Sequence, residues 1–273
     1  MRRSADRRKF IAGNWKMNGL GQEAVALGRE IRVRLQDVSR VDAAVCPPFT
    51  VLEAVGAEFA ESRIKLGAQD MFWKEGGAYT GKVSGPMLKA IGCSYVILGH
   101  SECRGRFGKT DEDITDETIL HFGDTNATVH LKVKAAFRYG LLPIVCVGET
   151  LTERESGSTD QIVDVQVHAA FHGLAPDQIA LSTIAYEPVW AIGTGKTCDS
   201  IEANRVCGVI RHVIGRMTNA GIARGVRIQY GGSVNAENAA EILSQPDIDG
   251  ALVGGQSLKP EAFAQIVLAG VRD

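Results

Sequence analysis

The chain has 273 residues, of which 45% are hydrophobic and 23% charged, and its formal net charge is −2. That balance describes a water-soluble globular chain long enough for one sizeable core, and it excludes the strong basic field that draws nucleic acid or an anionic membrane. No run approaches the roughly 20 apolar residues of a bilayer-crossing helix. The six cysteines, Cys46, Cys93, Cys103, Cys146, Cys198 and Cys207, lack C-x-x-C or Cys/His spacing and are expected to be reduced thiols of a cytoplasmic protein.

The opening MRRSADRRKF is basic, but Asn14, Lys16 and Asn18 interrupt the apolar run after it. It therefore reads as a solvated tail over residues 1–9 and not as a signal peptide. From Phe10 onward, short β-branched apolar runs recur. The first, KFIAGNW, ends on Asn14 and Lys16 and leads to EAVALGREIRVRL, whose apolar residues fall at helical spacing. VDAAVCPP and IKLGAQD follow, then SYVILGH, which ends on His100. PIVCVGE ends on Glu149 and precedes the helical DQIVDVQVHAAFHGL, while STIAYEP delivers Glu187 ahead of the helical SIEANRVCGVIRHVIGRM. VRIQYGG and IDGALVGG complete eight runs. None alternates apolar with polar, as expected of parallel strands covered on both faces. Eight strands interleaved with helices and unbroken by a linker predict a single (β/α)8 barrel domain over 10–273. The alternative, an open doubly wound sheet, would leave two edges, and no G-x-G-x-x-G turn follows the first strand.

One interval is irregular. FGKTD at Phe107 is echoed by FGDTN at Phe122, fifteen positions on, and the EDITDETILH between them is acidic. The pattern predicts an insertion between strand 4 and helix 4, with a short amphipathic helix in it. Its carboxylates (Asp111, Glu112, Asp113, Asp116 and Glu117) lack the glycine and spacing of a calcium loop and read as a solvated face.

Polar residues gather at the C-terminal ends of the predicted strands, which in a parallel barrel share one rim, where active sites are built. Glu187 is followed by a proline that restricts it to extended backbone, and then by apolar VWAI that can exclude water. A carboxylate so placed, with its pKa lifted, suits a general base. The IGTG that follows supplies a hinge and exposed N–H groups. With Gly231, Gly232 and Ser233 after strand seven and Gly254 and Gly255 after strand eight, it points to a phosphorylated small substrate. His100 precedes Ser101 and Glu102 at the start of a helical turn, which favours a neutral imidazole that donates a hydrogen bond. Lys16 can hold a developing oxyanion or a phosphate. His168 and His172 stand four apart with no third ligand in sequence, so packing or exposure accounts for them better than a metal.

AGNWKMN, GAQD, AYTG, VILGHSE, CVGET, AYEPVWAIGTGK, YGGSV and LVGGQSL, in this order from about Phe10 to near the end of the chain, resemble the triosephosphate isomerase family. The resemblance implies an isomerase without cofactor or metal that interconverts two triose phosphates through an enediolate. It implies Glu187 as the base, His100 as neutral electrophile, Lys16 as stabiliser of negative charge and Asn14 as a substrate contact. Gly193, Ser233, Gly254 and Gly255 would bind phosphate, with Glu102 and Ser101 in support. Ile192 and Leu252 would close over the base. It also implies a homodimer in which loop 77–83 enters the partner subunit.

The departures are Cys103, where the family has the first arginine of HSERR, Lys82, where it commonly has an acid, and Gln256 in place of alanine. The first two positions are expected to lie near the dimer contact, with the insertion packed beside it. Competing readings are a tetrulose-phosphate isomerase on the same fold, a catalytically silent barrel kept for binding, and a metal-dependent aldolase or hydrolase.

Overall fold

The computed structural model describes residues 7–271. Eight parallel strands close in sequence order: β1 (Phe10–Asn14), β2 (Asp42–Cys46), β3 (Lys65–Ala68), β4 (Tyr95–Leu98), β5 (Leu142–Val147), β6 (Thr183–Tyr186), β7 (Arg227–Tyr230) and β8 (Gly250–Val253), with β8 paired to β1. The helices outside them are α1 (Gly21–Leu35), α2 (Leu52–Phe59), α3 (Gly85–Ala90), α4 (Asn126–Arg138), α5 (Leu151–Glu155), α6 (Thr159–Phe171), α7 (Pro176–Leu181), α8 (Ser200–Met217), α9 (Ala220–Gly225), α10 (Ala239–Leu243) and α11 (Pro260–Ala269). The missing alternation in the strands now has its cause. Phe10, Ala12, Ala44, Ile97, Ile144 and Ala185 pack inside the barrel, while their neighbours Ile11, Val45, Val96, Val145 and Ile184 pack outward against the helices. Both faces of each strand are apolar because both are buried.

Helix α8 illustrates the outer layer. Asp199 caps it by accepting the Glu202 N–H at 2.8 Å. Its buried Ala203, Val206, Cys207, Ile210, Val213 and Ile214 recur at three- and four-residue steps. Each large aliphatic in that stripe contributes about 1.5–3 kcal/mol on burial.

Two expectations change. Arg7 and Lys9, expected in the solvated tail, are tied to the barrel. The Arg7 guanidinium pairs with fully buried Asp249 at 2.6 Å, and Lys9 donates to the Ile248 carbonyl at 2.5 Å. Residues 1–6 of the expected tail lie outside the described residues. The second change concerns EDITDETILH, which forms no α-helix but a single 3-10 turn, Thr118–His121, with none of its residues buried. Its threonines satisfy the backbone locally: Thr118 Oγ1 donates to the Asp113 carbonyl at 2.7 Å and accepts the Thr115 N–H at 2.8 Å. Such bonds compete with a helix, and Leu120, left 78% exposed, has no apolar surface to repay one.

Candidate active site

One cavity of about 580 Å3 opens at the C-terminal rim, and Asn14, Lys16, His100, Ile192, Gly193, Ser233, Leu252, Gly254 and Gly255 line it. The rim thus brings together residues from the loops after β1, β4, β6, β7 and β8. Ser101 and Glu187 stand just behind that wall, lining a small adjoining void, and Glu102 sits beneath Lys16.

Lys16 has φ +53°, the one positive value for a non-glycine among the described residues. Such backbone persists only where its surroundings over-determine it. Here the Lys16 N–H donates to Asn14 Oδ1 at 3.0 Å, and its carbonyl accepts Gln69 Nε2 at 2.8 Å. Gln69 also donates to the Cys46 carbonyl at 2.9 Å, tying the loop to β2. The strained turn aims the ammonium at Glu102, 2.5 Å away. Gln69 was not predicted as functional, although the GAQD motif carried it.

Glu187 is 2% exposed and its carboxylate is turned away from the cavity. It accepts the Ser101 N–H at 3.0 Å and the Ser101 hydroxyl at 3.4 Å, and it meets His100 Nε2 at 2.9 Å. Its backbone N–H donates to the Val147 carbonyl at 2.8 Å. Beneath it lies Gly148, where a Cβ would fall 1.7 Å from the Glu187 carbonyl oxygen, so only glycine fits. Burial works to raise this carboxyl, but His100 and the Ser101 N–H outweigh it and hold Glu187 below the ordinary carboxylate value. The expected lift is therefore absent while the carboxylate is bonded in this way.

His100 Nδ1 accepts the Glu102 N–H at 3.2 Å, so the ring proton belongs on Nε2, facing Glu187. Burial disfavours its protonation, but the adjacent Glu187 carboxylate more than offsets that and raises His100 above its ordinary value.

The segment after Glu187 is tethered by a carboxylate whose part was not foreseen. Glu149 is fully buried and accepts Trp190 Nε1 at 2.8 Å and the Tyr186 hydroxyl at 3.1 Å. Arg154 lies over the Trp190 ring at 4.4 Å and reaches the same carboxylate at 3.4 Å. Beyond Trp190, Gly193 and Gly195 adopt left-handed φ, +71° and +78°. A rigid root thus carries a hinged tip.

The histidines His168 and His172 do not converge. His168 is exposed, and His172, just past α6, stacks on His130 at 4.0 Å. Cys103 lies within 4.8 Å of the Asp70 and Asp124 carboxylates, both bonded by the Lys132 ammonium at 2.7 Å. Burial, with those two acids, pushes its thiol up to about 12. Lys82 sits 6.0 Å from the Phe72 ring centre.

Comparison with known proteins matches residues 9–270 to the family model of triosephosphate isomerase. The chain is 51% identical to the triosephosphate isomerases of Carboxydothermus hydrogenoformans and Moorella thermoacetica, each over 96% of this chain and 98% of the relative. A crystal structure of triosephosphate isomerase from Bartonella henselae superposes with a TM-score of 0.82 at 35% identity, covering 97% of this chain and all of that one.

Proposed function

The chain belongs to the triosephosphate isomerase family, and from that premise we propose how its rim interconverts D-glyceraldehyde 3-phosphate and dihydroxyacetone phosphate. The carrying observation is the 2.9 Å contact between Glu187 and His100 at a cavity walled by three glycine-bearing loops. Phosphate seats on the backbone N–H groups of Gly193, Ser233, Gly254 and Gly255. Glu187 then leaves Ser101 and His100 for the substrate carbon. It takes a proton there and returns it to the neighbouring carbon, so the intermediate is an enediolate. His100 Nε2–H, freed of the carboxylate, donates to the substrate oxygen, while Lys16 and Asn14 meet the developing negative charge.

The same swing sets the proton affinities. Away from its two donors and under Ile192 and Leu252, Glu187 loses what holds it down, and drying strengthens it as a base. His100 loses what holds it up, and burial keeps it neutral. Closure also keeps water from the enediol phosphate, which would otherwise eliminate its phosphate; this family is itself a general example of such loop closure.

A coupled isomerase assay tests the assignment. Shortening the base in Glu187→Asp retains the charge and shifts its reach, so kcat should fall about 100-fold while substrate binding stays similar. Equal turnover would mean the base is misassigned. Glu187→Gln removes the charge that raises His100, so the imidazole titration followed by NMR should move down. A His whose folded value is raised lends stability below its unfolded value and loses it as pH rises. The Gln variant should therefore be destabilised more at about pH 6 than at about pH 9.

A homodimer fits the surface. Met17, Leu20 and Phe49 in the connections after β1 and β2, Tyr79 in the exposed 77–82 tip and Met87 on α3 are exposed large apolar side chains. Sedimentation equilibrium that returned a fully active monomer would remove this part of the reading. A cytoplasmic location accords with six unpaired cysteines.

A further inference from the structure

We propose that Arg106 is a positioning residue for the base, clamping together the two backbone segments between which Glu187 is held; this rests on the isomerase reading above. Three contacts carry it. First, the Arg106 N–H donates to the Ser101 carbonyl at 2.9 Å, and Ser101 is the residue whose own N–H and hydroxyl hold the Glu187 carboxylate. Second, Arg106 Nη2 donates to the Gly148 carbonyl at 3.2 Å, and Gly148 is the floor against which the Glu187 carbonyl rests. Third, the same Nη2 pairs with Glu153, whose carboxylate accepts the Thr150 N–H at 2.8 Å and so caps α5, the helix that carries Arg154 against the Trp190 ring.

Arg104, Arg106, Ser101, Gly148 and Glu187 also share the small void behind the active cavity. The Arg106 side chain is 25% exposed, so its bonds lie largely out of solvent. Both bonds leave one Nη2, whose two N–H donors are fixed in the guanidinium plane and face the carbonyl and the carboxylate together, whereas an ammonium on a flexible stem holds no such fixed pair. Removing the clamp loosens Ser101 and Gly148 against each other, and displacement of a catalytic group by a fraction of an ångström is felt in turnover before it is felt in binding.

The test is steady-state kinetics of wild type, Arg106→Ala and Arg106→Lys in the full chain, with circular dichroism and thermal melts alongside. Arg106→Ala should lower kcat about tenfold with KM within about twofold, and Arg106→Lys should fall between it and wild type. A lowered melting temperature with kcat unchanged in both variants would overturn the proposal and leave Arg106 a structural link. A rise in KM equal to the loss in kcat/KM would also overturn it, because the phosphate pocket rather than the base would then have moved. Should the Ala variant fail to fold, the Lys variant decides: reduced kcat at unchanged KM supports the clamp, and wild-type kcat refutes it. An inactive wild type would instead sink the isomerase reading, so the two failures are distinct.

Discussion

Phe107–Gly108 and Phe122–Gly123 are the same dipeptide met twice on one loop, and the chain treats them differently. At the first, a Cβ on Gly108 would fall 2.3 Å from the Ile192 carbonyl oxygen and 2.4 Å from that of Val189, so the backbone lies directly on the root of the flap. At the second, a Cβ on Gly123 would meet nothing nearer than the His121 carbonyl at 3.9 Å, and its φ of +71° serves a local turn. The two phenylalanine rings meet edge to face at 5.1 Å, so the chain from Lys109 to Gly123 is an excursion that departs and returns at one place. Identical residues thus acquire different weight from what distant chain lies against them. The first pair is part of the rim's machinery, and the second closes a loop that solvent surrounds.

The sharpest way to break this contrast is to add one methyl group at each glycine. Gly108→Ala must push the Val189–Ile192 carbonyls aside, since neither is the free end of a flexible side chain. We expect kcat to fall about tenfold or more, because the flap root then no longer seats over the base. Gly123→Ala has open space but a left-handed backbone, so it should cost about 1 kcal/mol of stability and leave turnover unchanged. Urea melts and the coupled assay read both. Equal kcat losses at the two sites, or none at Gly108, would erase the distinction.

The same contrast explains what could be foreseen. The barrel was legible because eight apolar runs without polar alternation have few arrangements that bury both faces, and α8 was found over Ser200–Met217 because its apolar stripe is long. The rim residues were legible because polar groups at the ends of apolar strands have no packing reason to be there. What escaped depends on partners across the fold. The acidity of Glu187 follows from which donors its carboxylate happens to meet, and sequence does not show that it rests on Ser101 and His100. Glu149 read as one more strand-end acid until Trp190 and Tyr186 were seen to converge on it. Arg106 was not singled out, since nothing nearby in sequence announces Gly148 or Glu153. EDITDETILH failed in the other direction: its apolar period was real, but no surface was present to receive it.

The smallest expected effect comes from excising Lys109–Gly123, which joins Gly108 to Asp124 and leaves a single FGDTN. Downstream anchors survive, because the Asp124 N–H donates to the Cys103 carbonyl at 3.0 Å and Thr125 accepts the Thr128 N–H to cap α4. Two small terms oppose each other in the deletion. Losing the Phe122 ring against Phe107 costs about 1 kcal/mol, and shortening the loop restores a closure entropy of about 0.6 kcal/mol for each halving of its length. Stability should therefore change by less than about 1 kcal/mol, with kcat and KM within about twofold of the parent. A tenfold loss of turnover in a well-folded deletion would show that the excursion steadies the flap, and the second Phe-Gly pair would then belong with the first.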